Sequence, residues 1–238
     1  MFNDHFDKVF CLSLPIREDR RERMNSLFKK YDIEAEYFYS VRGKALPHLY
    51  SLVSKKFPAI GYFGTSISYL NLFYYALEKG YEKICVLEDD IKIHKDVHSI
   101  ADFYIPKLPK DNNLTYFSYI PLTENHEDWS YNTITKSFIL GNVFGGIFKP
   151  KSVCSMMAFS ITKKMMKCVI DSLNRDFETI DVHIMKNIQG RDEMGVYGIN
   201  PQMFCASEFF ISDGCEHPIE SLTYRSVDVR ASKLEDYE

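Results

Sequence analysis

The stretch that decides the fold is Lys83-Ile84-Cys85-Val86-Leu87-Glu88-Asp89-Asp90, an apolar run that leads directly into three carboxylates. Four consecutive apolar residues, two of them β-branched, are typical of a strand buried on both faces of a parallel sheet. Open α/β sheets bind their ligands at the carboxyl ends of the strands, which is where these acids lie. The pattern favours a ligand site, and an ordinary acidic turn after a strand is the alternative.

Three adjacent carboxylates also predict a chemistry. They repel one another, and in a dehydrated crevice this repulsion raises their pKa values. A divalent cation removes the conflict, and oxygen ligands favour a hard ion such as Mg²⁺ or Mn²⁺. Glu88, Asp89 and Asp90 are therefore candidate ligands of a metal ion.

The composition is that of a globular α/β protein. The chain has 238 residues, of which 45% are hydrophobic and 26% are charged, so one large domain over residues 1–238 is expected. A net charge of -4 and a pI of about 6.0 give no basic footprint for nucleic acid.

The sequence also predicts a cytoplasmic location. The first fifteen residues include Asp4, Asp7 and Lys8, which leaves no hydrophobic region for a signal peptide. No apolar run approaches the length that spans a bilayer, although peripheral contact with a membrane stays open. The six cysteines are scattered without a C-x-x-C pair, so we expect them to be reduced.

Hydrophobic periodicity in the first half predicts strand–helix–strand units. Residues 9–14 form a strand, and a charged run then leads into a helix whose apolar stripe ends at Tyr31. A second strand covers 36–41, and a loop with one short helix covers 45–63. A helix from Gly64 to Gly80 then leads into the acidic strand, which makes a right-handed crossover.

The second half has a looser pattern. We predict strands at 114–120 and 157–161, an extended segment at 196–204, and helices from Lys163 and at 178–188; the predicted core covers 8–213 and a polar tail 214–238. Residues 121–137, which contain Trp129, are expected to form a functional loop or a disordered one.

Read in order, four of these segments resemble glycosyltransferase family 25, which includes lipooligosaccharide and procollagen galactosyltransferases. Phe10 to Arg23 resembles the opening strand, Leu-x-Arg-x-x-Asp-Arg turn and helix of that family. Gly64 to Asp90 resembles its G-x-x-x-S-H … V-L-E-D-D block. Ala158 to Lys164 is similar to its A-Y-x-I-S step, and the segments around Asp181 and from Asn200 to Asp213 are similar to its later motifs.

The chain departs from the family pattern at several positions. Ser13 stands where the family usually has Asn, Tyr69 where it has His, and Arg42 where it often has Asp. Residues 101–153 do not align convincingly. These departures weaken any transfer of donor or acceptor identity, but they leave the fold prediction unchanged.

The resemblance implies a GT-A fold, a Rossmann-like domain with a mostly parallel sheet that binds a nucleotide sugar at its carboxyl edge. Glu88-Asp89-Asp90 would be the D-x-D equivalent, with Asp90 the most direct Mn²⁺ ligand and Glu88 reaching the ribose or a metal-bound water. Asp89 would reach the donor sugar or anchor the loop. A metal there makes the nucleoside diphosphate a better leaving group.

The resemblance also implies inversion at the anomeric carbon, which needs a general base. Asp181 is the first candidate, because it begins a short helix whose dipole would stabilise its charge, and Glu178 and His183 are alternatives. An ordinary first-turn carboxylate is the competing interpretation of Asp181.

Three further positions are candidate contacts to the donor or acceptor. Arg17 follows the first strand, where a guanidinium suits phosphate oxygens, whereas Arg20, Arg21 and Arg23 are expected on a solvated helix face. Ser68 contacts the donor or packs in the core, and Gln202 lines the acceptor side or packs against a strand.

The sequence therefore predicts a metal-dependent inverting glycosyltransferase that uses a UDP-sugar, with galactose first and glucose second. The acceptor is expected to be a glycan, a lipooligosaccharide or a hydroxylated protein side chain. The alternative is a catalytically silent binding module on the same scaffold. A metal-dependent phosphoesterase ranks lower, because no second cluster of His and Asp ligands is evident in the sequence.

Overall fold

A computed structural model describes residues 1–121, 139–207 and 234–238 of the chain. The strands are β1 Lys8–Ser13, β2 Glu36–Tyr39, β3 Lys83–Glu88, β4 Ile91–Ile93, β5 Leu114–Tyr116, β6 Ile120–Pro121, β7 Ile139–Phe144, β8 Ile147–Pro150, β9 Val153–Cys154, β10 Ala158–Thr162, β11 Val196–Ile199 and β12 Phe204–Ala206. The α-helices are α1 Glu18–Lys30, α2 Pro47–Val53, α3 Ile60–Glu78, α4 Val97–Tyr104, α5 Lys163–Arg175 and α6 Ile180–Asn187.

An eight-stranded sheet of order β2-β1-β3-β10-β5-β11-β8-β7 forms the centre of the protein. β1 pairs in parallel with both β2 and β3, and β5 pairs in parallel with β11. β10 and β8 run against the other six strands. The predicted α/β class with a mostly parallel central sheet is confirmed.

The acidic strand β3 is buried on both faces, as its apolar run predicts. Ile84, Cys85, Val86 and Leu87 are all 0% exposed. Ile84 and Val86 face a core that α3 and α5 cover, whereas Cys85 and Leu87 face a core that α1 and α4 cover. Parallel strands and two helical layers thus carry β3 through the middle of the sheet, and its carboxylates emerge at the edge.

The segment before the acidic strand differs from the prediction. α3 begins at Ile60 rather than at Gly64, whereas α2 is the short helix that was expected within the loop over 45–63. Gly64 packs against Gly43, since a Cβ on Gly64 would lie 2.5 Å from the Gly43 nitrogen. A Cβ on Gly43 would in turn lie 1.9 Å from the Ile60 carbonyl oxygen. Gly64 therefore allows a close backbone approach inside α3 and does not mark the start of the helix.

Residues near both ends of the described chain pack on the domain. Phe2 is 0% exposed among aromatic neighbours. Tyr237 is buried, and its hydroxyl donates to the Gln202 carbonyl oxygen at 2.8 Å. Glu238 pairs through its backbone with Ile93 of β4. Few apolar residues lie at either end, and they show no helix or strand periodicity from which these contacts could be predicted.

The cysteine prediction holds where it can be examined. Cys11, Cys85, Cys154 and Cys168 are free thiols. Cys215, Trp129 with its expected loop, and the Ser212-Asp213 motif lie outside the described residues. Within the described ranges, no helix combines the length and the apolar character that crossing a membrane requires.

Candidate functional site

The three acids of β3 lie beside the end of β1, at the carboxyl edge of the parallel strands. Leu12 pairs with Glu88, so Ser13 lies next to the acids that follow. We call Glu88, Asp89 and Asp90 the acidic rim. The Ser13 hydroxyl bonds to Asp89, and the Asp90 carbonyl oxygen accepts from the Ser207 amide at 2.7 Å.

A buried arginine from the first turn of α1 holds two of these acids. Arg20 Nη1 donates to Asp89 Oδ1 at 2.8 Å and to Asp90 Oδ2 at 2.9 Å. Arg20 is only 3% exposed, so the prediction that it lies on a solvated helix face is wrong. The crossover explains the contact, because α1 starts at the same edge where β1 and β3 end. That reasoning was available from the sequence.

The other two arginines of this run, Arg21 and Arg23, are half-buried and donate to backbone carbonyl oxygens. Arg21 donates to the carbonyl oxygens of Leu14 at 2.6 Å and Pro15 at 2.9 Å. Arg23 donates to the Ile91 carbonyl oxygen at 2.7 Å. Their guanidinium groups therefore fix the backbone on both sides of the acidic rim.

Arg17 lies at the start of α1, where the resemblance implies nucleotide binding. Its Nε and Nη2 donate to the two carboxylate oxygens of Asp19 at 2.9 and 2.8 Å. This bidentate bond lowers the pKa of Asp19 to about 2. The Arg17 side chain is partly exposed at the carboxyl edge of the parallel strands, and its contact with a phosphate stays a prediction.

Tyr69, the departure from the family's His, reaches the acidic rim from α3. Its hydroxyl oxygen lies 2.8 Å from Glu88 Oε1 and 2.7 Å from the Met156 carbonyl oxygen. Burial first, and then the negative charge of Asp90, raise the pKa of Glu88 to about 8. One hydroxyl hydrogen cannot serve two acceptors, so a protonated Glu88 that donates to Tyr69 satisfies both contacts.

Asp89 is similarly affected by its surroundings. Burial and the charge of Asp90 raise its pKa, while Arg20 and the Ser13 hydroxyl act in the opposite direction. The acidic rim therefore combines two carboxyl groups that share one guanidinium group with a third carboxyl group that holds its proton at neutral pH.

Asp181 lies at the start of α6 and belongs to the same electrostatic environment. Its charge contributes to the raised pKa values of Glu88 and Tyr69. Asp181 Oδ1 accepts from the Val182 amide at 2.8 Å, and Oδ2 accepts from Cys154 Sγ at 3.1 Å. A chain of contacts links Asp181 to the acidic rim: Cys154 lies two residues before Met156, whose carbonyl oxygen contacts the Tyr69 hydroxyl that also contacts Glu88.

Glu178 and His183, the alternative bases, are bound into the contact between α5 and α6. Glu178 Oε1 lies 3.1 Å from His183 Nδ1, and its Oε2 accepts from Lys186 at 3.0 Å. His183 is 1% exposed, and its Nε2 lies 2.6 Å from the Ser172 hydroxyl. Both oxygens of Glu178 thus have partners, and a structural role accounts for this cluster.

Ser68 and Gln202, two predicted ligand contacts, are buried and bonded within the fold. Ser68 Oγ donates to the Gly64 carbonyl oxygen at 2.7 Å and accepts from the Val41 amide at 2.8 Å. Gln202 Oε1 accepts from the Tyr119 amide at 3.1 Å, and its Nε2 donates to the Tyr119 carbonyl oxygen at 3.2 Å. These contacts match the packing alternatives for both residues.

The acidic rim suits a metal ion in charge and donor chemistry, but it is not a preformed metal cage. Across residues 1–121, 139–207 and 234–238, no three His, Cys, Asp or Glu side chains form a group that could hold a metal ion. A catalytic Mg²⁺ is usually held by one or two carboxylates and by phosphates of the substrate. The rim can provide the carboxylates. Glu88 and Asp90 remain the candidate ligands, and Asp90 is shared with Arg20.

The protein is thus an α/β protein with an acidic cluster at the carboxyl edge of its parallel strands. A sequence profile described as "Glycosyltransferase family 25 (LPS biosynthesis protein)" matches residues 6–184, and the chain belongs to this family.

Two curated relatives, both described as "Glycosyltransferase 25 family member", support the assignment. The protein from Drosophila melanogaster is 31% identical over 99 residues, which is 36% of this chain and 16% of the relative. The one from Drosophila pseudoobscura pseudoobscura is 22% identical over 138 residues, or 52% of this chain and 22% of the relative. These matches span less than a quarter of the relatives' length.

Solved structures show more distant likenesses. "A197 from STIV" gives a TM-score of 0.45 at 14% identity, with 86% of this chain and 85% of that chain covered. "A glycosyltransferase involved in the glycosylation of the major capsid of PBCV-1" gives a TM-score of 0.42 at 10% identity, with 82% of each chain covered.

Proposed function

We propose that this chain transfers a hexose from a UDP-sugar to a hydroxyl acceptor with inversion at the anomeric carbon, galactose being the first candidate and glucose the second. The proposed acceptor is a glycan, a lipooligosaccharide or a hydroxylated protein side chain, and the proposed location is the cytoplasm. One observation carries the proposal. In this family 25 domain Asp181 accepts from Cys154, two residues before Met156, whose carbonyl oxygen contacts the same Tyr69 hydroxyl that contacts Glu88 of the acidic rim.

In the proposed reaction, Asp181 accepts the proton of the acceptor hydroxyl. The acceptor oxygen forms a bond to the anomeric carbon as the bond from that carbon to the diphosphate oxygen breaks, and UDP leaves with the bonding electrons. The Val182 amide and the N-terminal end of α6 stabilise the charge of Asp181 before the transfer.

The metal dependence is part of the same proposal. Mn²⁺ or Mg²⁺ held by Glu88 and Asp90 would neutralise the negative charge of the departing diphosphate. Arg20 keeps Asp89 and Asp90 together at the rim. Tyr69 orients Glu88 through its hydroxyl. Arg17 is proposed as a contact to the phosphate groups.

Two substitutions test the proposal. Asp181→Asn should abolish transfer and retain UDP binding, because it removes only the proton acceptor. Asp90→Ala should abolish both transfer and metal-dependent UDP binding. Asp192→Asn is the matched control, because Asp192 is an acid whose side chain is 87% exposed and pairs with Lys149. Released UDP and calorimetric UDP binding, each with and without Mn²⁺, are the measurements. Unchanged turnover in Asp181→Asn would contradict the base role.

The silent binding module is the second candidate, and the bonds of the rim favour it. Arg20 bonds to Asp89 and Asp90, and the Tyr69 hydroxyl bonds to Glu88, so each acid of the rim has a partner within the fold. If the thermal unfolding midpoint does not rise when UDP and Mn²⁺ are added, the silent module is the better description.

A further inference from the structure

An exposed, basic and partly apolar surface lies beside the candidate site. It comprises α2, the residues before it from Arg42, and the short helix Ser54–Lys56 after it. We call residues 42–56 the basic flap. Leu49 is 53% and Leu52 is 80% exposed. They lie three residues apart in α2, so they share one face of the helix.

The orientation of α2 makes this exposure a stable feature of the fold. Tyr50 packs against Phe63 of α3, with ring centroids 5.6 Å apart. No residue of α2 is buried. Tyr50 thus anchors the helix, while Leu49 and Leu52 project into solvent. Contact of these apolar side chains with water is unfavourable, and a partner that covers them would remove that cost.

The charge of the flap identifies a partner chemistry. Residues 37–77 contain Arg42, Lys44, Lys55 and Lys56 and no acidic residue, although the whole chain has a net charge of -4. Lys56 also forms an ion pair with Asp176. Exposed leucines flanked by basic side chains match an interface where acyl chains meet anionic headgroups.

The position of the flap connects it to the candidate site. It begins three residues after Tyr39, which is paired with Ser13 at the carboxyl ends of β2 and β1. The Val41 amide is bound by Ser68, and Gly43 packs against Gly64 of α3. The flap therefore extends from the same edge of the sheet that carries the acidic rim.

We infer that the basic flap docks this protein on an anionic phospholipid surface, with Leu49 and Leu52 in the interfacial layer and the basic side chains at the headgroups. Docking through this edge would bring the candidate site to the membrane surface, where a lipid-linked glycan is presented. This last step rests on the proposed function, whereas the docking itself does not.

Vesicle co-sedimentation of the full chain tests the inference. The protein should bind vesicles of phosphatidylcholine with phosphatidylglycerol, bind vesicles of phosphatidylcholine alone much more weakly, and be released by salt. Leu49→Ser with Leu52→Ser should weaken binding about tenfold. Lys55→Gln should weaken it about fivefold, since one basic side chain near the surface is lost.

Matched controls come from other exposed positions. Phe103→Ser removes an aromatic ring that is 51% exposed on α4, and Lys110→Gln removes an exposed charge in the turn before β5. Neither should change vesicle binding, and circular dichroism with thermal unfolding verifies that each variant is folded. Equal binding by the flap variants and the controls would overturn the inference.

The competing occupants give different results. Absence of vesicle binding, together with self-association of the wild type that Leu52→Asp abolishes, would assign the surface to a second copy and overturn the inference. UDP binding, measured separately without vesicles, tests the proposed function, so that one can fail without the other.

Discussion

Replacing Arg20 by Met should destabilise the protein far more than an ordinary arginine substitution. Arg20 is 3% exposed and bonds to Asp89 and Asp90, whose side chains are 8% and 15% exposed. Removing one partner of a buried ion pair leaves an uncompensated charge, which costs about 3–5 kcal/mol. For a chain of this size, that loss lowers the thermal unfolding midpoint by about 6–20 °C.

Urea unfolding of the wild type and of Arg20→Met at pH 7 measures this free energy. Arg17→Met is the control, because Arg17 pairs with Asp19, whose side chain is 56% exposed. Such an exposed pair contributes at most about 1 kcal/mol. Asp89→Asn added to Arg20→Met should restore part of the loss, since it removes one of the uncompensated charges.

The pH dependence of the variant gives an independent check. Arg20 lowers the pKa of Asp89 against the larger effect of burial, so its removal raises that pKa further. Protonation then removes the uncompensated charge, and the difference in stability between variant and wild type should shrink as the pH falls. A loss no larger than that of Arg17→Met at pH 7 would refute the account of a buried guanidinium group that offsets charge at the rim.

Three further predictions concern residues around the site. Glu88 has a folded-state pKa of about 8, above its ordinary value of 4.5, so stability should fall as the pH rises between these values, and urea titrations should show that Glu88→Gln flattens this fall by a few kcal/mol; an unchanged slope would contradict the assignment. Gly43→Ala should cost about 1–3 kcal/mol in urea unfolding, because the new Cβ would meet the Ile60 carbonyl oxygen, and a neutral result would show that the two segments can separate freely. His183→Ala should cost about 2 kcal/mol or more and leave UDP binding intact, whereas lost binding in a folded variant would place His183 in the donor site.

The sequence predicted the central part of the fold because its strands are buried on both faces. The run from Ile84 to Leu87 contains only apolar residues, so it favours a strand that is buried on both faces of the sheet. Its parallel pairing with β1 follows from the crossover rule. The α/β fold class and the position of the acidic rim at the end of β3 follow from that run. The position of Asp181 relative to the rim needed the resemblance, because residues far apart in sequence give no signal of contact.

The errors have a common physical cause, which is that charge was equated with exposure. Arg20, Arg21 and Arg23 form a dense basic run in a helix that also carries Glu18 and Glu22, and local pairing appeared sufficient. Their actual partners are carboxylates and carbonyl oxygens at the ends of neighbouring strands. A helix that begins where parallel strands end has its first turn at the functional edge, so arginines there should be examined as partners of that edge.

The electrostatics of the rim explain why these arginines are needed. Glu88, Asp89, Asp90 and Asp181 bring four carboxyl groups to one edge of the sheet, and Arg20 brings one positive charge to two of them. The proton that Glu88 retains removes a further negative charge, and Tyr69 fixes its position. The Asp90 side chain is 15% exposed, so the guanidinium group of Arg20 meets it close to the surface of the rim. A proton and a guanidinium group thus offset two of the four negative charges that these carboxyl groups would otherwise carry, which lowers the repulsion between acids that lie so close together.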